Sequence, residues 1–496
     1  LSDIGLGPVR LSSAHLSAAL PYDRSAVTPG IVHLGVGAFA RAHLATYVDS
    51  ILGDDPSWGI VGASLRRPDT KAALAPQDFL YTLAVRSAAG TATRVIGSLL
   101  SVLDAAHERD ELIAAMTDPR VRIVSLTVTE KGYCHDPATG TLNRNHPDII
   151  YDLDHPEAPM SAPGLIVRAL ELRRAAGVAP FTVLSCDNLP ANGVTTARVV
   201  SEFAALRDAG LADYVRHEVA FPSCMVDRIV PATTDADREL VMQATNVFDA
   251  WPIVTEPFAQ WVIEDRFPGG RPNFETAGAE FVADVRPFEL MKLRMLNGSH
   301  STIAYLGYLA GYEFVSDAIA DPAFGALIHD LMTEEVMPTL PDGLGDLLQY
   351  RDALMERFAN PALKHRTWQI AMDGSQKLPQ RLLGTIRDRL AQGLPIVRLS
   401  LGVAAWMRYV SGIDERGGAI DVRDPLAVRL RQIADASGGS AAKLADGLLG
   451  VSEMFGDDLP RNELFRGTVV PHLASLLSRG ARATVRQVAG RHADMS

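Results

Sequence analysis

Cysteine is scarce in this chain of 496 residues. There are three, Cys134, Cys186 and Cys224, widely spaced, odd in number and outside any CxxC pairing. Neither a disulfide framework nor a cysteine zinc site is indicated, and a reducing cytoplasm is the expected setting. Positive charge is in deficit. A net charge of -12, with no block of Lys and Arg, argues against a nucleic-acid or anionic-membrane partner and leaves a small molecule as the expected one. Long apolar runs are missing too, each being cut by charge, Gly or Pro well before the roughly twenty residues of a membrane-spanning helix. Residues 1–28 place Asp3, Arg10, His15 and Arg24 among small apolar residues and lack the unbroken apolar core of a secretion signal, so a soluble protein is expected. No internal repeat or low-complexity tract interrupts the chain.

What is present is ordinary globular material, 47% hydrophobic and 21% charged, long enough for two or more domains. Ile31 to Gly37 reads as a short apolar strand running into glycine, and Arg41 to Leu52 has apolar residues at helical spacing. Further β-like runs lie at Gly59 to Leu65, Val121 to Thr129, Phe181 to Ser185 and Phe221 to Ile229, with helical patterns such as Leu165 to Ala176 and Val194 to Asp208 between them. The alternation predicts an α/β fold, a Rossmann-type domain with a largely parallel sheet. After a last strand at Phe281 to Val285 the texture becomes helical, through Met291 to Leu309, Ala323 to Met337 and Lys377 to Leu390. The expected division is therefore 1–285, a dinucleotide-binding domain, and 286–496, a mostly α-helical domain for substrate and catalysis. Their cleft is the expected active site.

The turn Gly35-Val36-Gly37-Ala38-Phe39-Ala40 resembles the dinucleotide fingerprint, whose glycines let backbone approach a pyrophosphate, with Ala40 at the third glycine. A plain strand-to-helix turn has the same local pattern, so its place between strand and helix carries the reading. After the second strand, Asp69 suits the ribose hydroxyls of NAD, while Arg66 and Arg67 suit the extra phosphate of NADP or a solvated turn. NAD is the expected cofactor, with NADP left open. Two runs end strands at the ligand-binding edge, Thr129-Glu130-Lys131-Gly132 and Ser185-Cys186-Asp187-Asn188; Asn188 can donate into the cleft or equally cap a helix. In Met225-Val226-Asp227-Arg228 the two charges also suit a simple ion pair.

The run Lys292-Leu293-Arg294-Met295-Leu296-Asn297-Gly298-Ser299-His300 sets an amine, a carboxamide and an imidazole at i, i+5 and i+8 in apolar surroundings. At about 100° per residue, Asn297 falls about 140° round an α-helix from Lys292 and His300 about 80°, within one broad face. An axial separation of about 12 Å between Lys292 and His300 calls for a bend near Gly298 or for contacts to different substrate atoms. A surface lysine, a helix-end asparagine and a core histidine would share the pattern. The proton-transfer reading has its own logic: a free lysine, with a pKa of about 10.4, is a poor base, and burial disfavours its charged form. A carboxamide donating to the oxygen would stabilise the negative charge left as a hydroxyl loses its proton. No metal ligand set is evident.

Together, GxGxFxRAH at Gly35 to His43, SLTVTEKGY at Ser125 to Tyr133, SCDN at Ser185 to Asn188, MVDRI at Met225 to Ile229 and KLRMLNGSH at Lys292 to His300 resemble the mannitol dehydrogenase family of long-chain polyol dehydrogenases. The resemblance covers nearly the whole chain. HRTWQIAMDGSQKLPQR at His365 to Arg381 is most similar to the fructuronate reductase branch, which interconverts D-mannonate and D-fructuronate. The resemblance implies metal-independent hydride transfer between a nicotinamide and a secondary alcohol carbon, and a monomer. By matching position it implies Lys292 as general base, Asn188 and Asn297 on the developing alkoxide, His300 on a substrate hydroxyl and Glu289 as a proton outlet on the same helical face. It further implies Val226 and Asp227 near nicotinamide and substrate, and Lys377 at the distal substrate site. Ala40 stands where many members carry His, and Gln369 where mannitol-specific members carry Arg.

D-mannonate is the expected substrate, and D-mannitol, oxidised to D-fructose by the same mechanism, is the rival. The two differ by a carboxylate, for which Arg366, Lys377 and Arg381 are candidate partners that equally suit surface charges. A reading of another class is a nucleotide-binding protein without catalysis, disfavoured because every catalytic position is filled.

Overall fold

The computed structural model describes residues 9–136 and 139–490. Asp3, part of the stretch read for a secretion signal, lies outside them. The chain divides into two compact units, Leu1–Arg286 and Pro287–Ser496.

The N-terminal unit is built on five parallel strands, β1 (Pro29–Leu34), β2 (Gly59–Ser64), β3 (Leu99–Asp104), β4 (Ile123–Leu126) and β5 (Thr182–Ser185), in spatial order β3-β2-β1-β4-β5. The order reverses beside β1, so the edge at the C-terminal ends of β1 and β4 is the switch point where such sheets bind ligands. Alternate side chains feed two cores, one on each face. Val32, Leu34, Val124 and Val183 enter one, and Ile31, Ile60, Ile123 and Leu184 the other, as a sheet covered on both faces requires. The helices Ala162–Ala175 and Asn192–Arg207 take up the two patterns predicted between strands.

Two local expectations are corrected. The helix predicted over Arg41 to Leu52 is two, Ala38–Ala42 and Leu44–Ile51, broken at His43, whose backbone leaves the helical region (φ -117, ψ -90). The strand after Phe221 does not join the parallel sheet. Cys224–Asp227 pairs antiparallel with Gln260–Glu264, which runs parallel to Glu280–Val282 in a separate three-stranded sheet.

The C-terminal unit is helical, and three of its helices change pitch in mid-course. Lys292–Asn297, Leu331–Val336 and Pro379–Leu383 are π-helical and pack together, the first against each of the others. Pro379 explains one: proline has no N–H, and its ring would meet the carbonyl four residues back in an α-helix. No helix among the described residues is long and apolar enough to cross a membrane.

Candidate active site

At the switch point the backbone is open for a nucleotide. Gly35 has φ +93, and a Cβ there would lie 2.2 Å from the carbonyl oxygen of Thr127, so only glycine fits. Gly37 precedes the helix Ala38–Ala42, and a Cβ on it would meet nothing closer than 4.0 Å. The first glycine makes the turn and the second leaves room beside it, as the fingerprint requires. A cavity of about 230 Å³ opens here, lined by Gly35, Gly37, Ser64, Arg66 and Thr129. Its dimensions and bare backbone fit part of a dinucleotide. Ala38 and Phe39 begin the adjoining helix, and Ala40 is buried in its packing against the sheet. Of the three candidates after β2, Arg66 lines the cavity and is held by Asp148 at 2.5 Å, whereas Arg67 is exposed and Asp69 is exposed in the first turn of the helix Asp69–Leu74.

Asp187 proves to be a scaffold. Its carboxylate accepts the backbone N–H groups of Val128 (2.9 Å) and Thr129 (3.1 Å) and the Tyr133 hydroxyl (2.8 Å), pinning the turn after β4 to the end of β5. Burial raises its pKa, and these donors counter the rise. Asn188 follows at once and is exposed. Asn192 completes the scaffold: its amide spans to the carbonyl oxygens of Asp187 (3.1 Å) and Cys224 (2.7 Å). Val226 and Asp227 end the neighbouring strand, both buried, and Arg228 donates to the carbonyl oxygens of Ala42 and Glu256.

The cysteines are not wholly apart from metal-binding types. Cys134, His146 and Asp148 bring donor atoms within 4.8 Å of one another. As found, Arg66 occupies the Asp148 carboxylate, His146 Nδ1 accepts the Asp148 N–H at 3.2 Å, and burial pushes the Cys134 thiol up to about 12. The group is organised around an ion pair.

In the C-terminal unit the lysine run is not an α-helix. Lys292–Asn297 is a π turn in which Gly298 N–H bonds to the Leu293 carbonyl, five residues back. A π turn takes in more residues than an α turn, so Asn297 lies much nearer the face of Lys292 than the 140° of the α-helical expectation. The bend expected near Gly298 is thus a change of pitch, and the helix continues as Gly298–Leu309. Gly298 is demanded by packing: a Cβ there would lie 2.8 Å from the Arg381 carbonyl oxygen. Lys292 is buried and Asn297 half-buried, while Glu289 is half-buried on the preceding helix Arg286–Met291. Arg294 anchors the turn, donating to Asp388 at 2.5 Å and to Thr339 Oγ1 at 2.8 Å.

His300 is buried against Phe358 (ring centroids 4.7 Å) and His365 (5.3 Å). Burial first, then the fields of His365, Arg357 and Arg381, hold its pKa well below the usual histidine range. It is a neutral imidazole, able to donate from one nitrogen and accept at the other. Nothing in the spacing pointed to Arg357 and His365 as its surroundings; tertiary packing alone brings them there.

The distal cations differ. Lys377 donates to the Met372 carbonyl at 2.6 Å. Arg366 pairs with Glu313 at 2.7 Å and lines a separate cavity of about 650 Å³ with Tyr308, Tyr312 and Arg482, towards the far end of the helix Gly298–Leu309. Gln369 is exposed on the helix Thr367–Ala371.

Bare backbone at a sheet switch point suits a dinucleotide, and a buried amine with a carboxamide on the same turn suits taking a proton from an alcohol. The class these define is the dinucleotide-dependent dehydrogenases. Residues 29–276 match the mannitol dehydrogenase Rossmann domain and residues 284–477 the mannitol dehydrogenase C-terminal domain, and the chain belongs to the mannitol dehydrogenase family. It is similar to the D-mannonate oxidoreductase of Escherichia coli (strain K12), 48% identical over 95% of this chain and 98% of that one. It is also similar to mannitol 2-dehydrogenase of Aspergillus fumigatus, 40% identical over 97% and 99%. Among solved structures, the Pseudomonas fluorescens mannitol 2-dehydrogenase ternary complex with NAD and D-mannitol superposes with a TM-score of 0.84, 40% identical over 97% of this chain and 99% of that one.

Proposed function

We propose that this protein is an NAD(H)-dependent dehydrogenase of an open-chain hexonate, interconverting D-mannonate and D-fructuronate without a metal. The observation that carries the chemistry is the buried π turn that sets Lys292 and Asn297 near one face, in a unit that keeps His300 neutral. A bound nicotinamide would supply the hydride acceptor for the carbinol carbon. The glycine turn at Gly35 and Gly37, with Ala38, Phe39, Arg66 and Val226, would hold the cofactor; Arg66 is kept by Asp148, which leaves NADP open. Lys292 accepts the hydroxyl proton as the C–O bond becomes a carbonyl, and Glu289, three residues earlier, passes it to solvent. The carboxamides of Asn188 and Asn297 donate to the oxygen while it carries negative charge. His300 and Asp227 hold neighbouring hydroxyls and Lys377 the distal end. Greater identity to the D-mannonate oxidoreductase than to the mannitol enzyme, 48% against 40%, supports the acid as substrate. The complex with NAD and D-mannitol supports the rival.

The test is reduced-nicotinamide absorbance over D-mannonate and D-mannitol with NAD and NADP, for wild type and Lys292→Ala. Turnover of D-mannonate is expected, with kcat lowered about 10²- to 10⁴-fold in the variant. Near-wild-type turnover of Lys292→Ala would sink the mechanism, and turnover of D-mannitol alone would sink the substrate. Cofactor binding without any turnover would point to a silent nucleotide-binding protein. The monomeric state and cytoplasmic setting belong to the same proposal, read by light scattering and cell fractionation.

A further inference from the structure

Three buried arginines of the C-terminal unit each meet a carboxylate or several carbonyl oxygens. Arg294 donates to Asp388 and twice to Thr339; Arg389 donates to the carbonyl oxygens of Glu334, Glu335 and Pro395; Arg398 pairs with Glu334 and Asp330. Arg381, half-buried, is different. Among the described residues its guanidinium makes one hydrogen bond, from NH1 to the neutral Ser301 hydroxyl at 3.2 Å. It sits on the π-helical segment Pro379–Leu383, whose backbone presses on Gly298, and is close enough to His300 for its field to reach that imidazole. Of the other two cations considered for a carboxylate, Arg366 is paired with Glu313, and Lys377, whose amine donates to the Met372 carbonyl, has no forked donors.

A guanidinium stays charged throughout the working pH range, and a partly desolvated cation whose one hydrogen-bond partner is neutral is poorly compensated. Its forked donors match a carboxylate better than any hydroxyl, because two parallel N–H groups meet two oxygens. We propose that Arg381 is the carboxylate anchor of the substrate site, pairing with the acid group of a sugar acid whose hydroxyl is held by His300. A neutral hexitol would leave the charge uncompensated, so the site selects acids by what it lacks. The assignment rests on the dehydrogenase reading above.

The experiment compares wild type, Arg381→Gln and Arg381→Lys on D-mannonate and D-mannitol, with NAD titrated by fluorescence in each to verify folding. In Arg381→Gln the mannonate-to-mannitol ratio of kcat/KM is expected to fall on the order of 10²-fold, mainly through KM for the acid. Arg381→Lys restores part of it, returning charge without the fork. An unchanged ratio in Arg381→Gln overturns the anchor while leaving the dehydrogenase standing. If wild type oxidises D-mannitol alone, the proposed substrate fails separately, and the anchor is read from D-mannonate as a competitive inhibitor. Inhibition weakened on the order of 10²-fold in Arg381→Gln upholds it; equal inhibition in both proteins, or none of wild type, overturns it.

Discussion

His33 shows how one residue ties the strand to the nucleotide turn. It is buried on β1, with Nδ1 2.8 Å from Ser125 Oγ and Nε2 2.9 Å from Thr127 Oγ1, and Thr127 in turn donates to the Gly35 carbonyl at 2.6 Å. Burial lowers its pKa to about 4. The unfolded chain then binds a proton near pH 6.5 that the folded chain refuses until about pH 4, so stability is lost as pH falls through that window. The loss saturates at about 3 kcal/mol. Denaturant titrations from pH 7 to 4 should show wild type losing about that much more than His33→Asn; equal losses would remove His33 from the account. At this scale the sequence was most readable where backbone conformation dictates identity, as at Gly35. It was silent on Asp187 and Arg357, whose surroundings arrive from distant parts of the chain, and it left Arg381 as one of three cations that equally suited the surface.

The π turn at Lys292–Asn297 is the element on which the proposed chemistry hangs, and its neighbours maintain it. A Cβ on Gly298 must move the Arg381 carbonyl, and with it the segment Pro379–Leu383. Gly298→Ala is therefore expected to cost about 1–3 kcal/mol and to lower kcat, although alanine is the better helix former. Gly467 supplies the control: it is exposed in the helix Glu463–Gly490, a Cβ there meets nothing within 4 Å, and Gly467→Ala should stabilise by up to about 1 kcal/mol. Opposite signs in urea unfolding would separate packing from propensity; matching signs would refute the packing account. The π pitch was not legible because KLRMLN fits an α-helix locally, and its widening is stabilised by contacts between segments remote in sequence. β3 at Leu99–Asp104 escaped for a related reason: four of its six residues are apolar without regular alternation, which periodicity does not distinguish from a helix fragment. The parallel strands that were recognised had Gly or polar residues marking their ends.

At the scale of the molecule, the glycine turn lies in the unit Leu1–Arg286 and the lysine run in Pro287–Ser496, so the duties proposed for them are separable. That division allows a test of the nucleotide site without catalysis. A ligand that binds only the folded state stabilises by mass action, so NAD at 100 times its Kd should add about 2.7 kcal/mol to unfolding of the protein, rising with concentration. Gly35→Ala should remove that increment as well as lowering baseline stability, because a Cβ there collides with the Thr127 carbonyl at a φ that disfavours side chains. Lys292→Ala, which alters no part of the glycine turn, should keep the full increment while losing turnover. Calorimetric scans over an NAD series in the three proteins decide it. An increment lost equally in Lys292→Ala and Gly35→Ala would mean that the lysine run helps to bind the nucleotide, and its role as a base would have to be argued again.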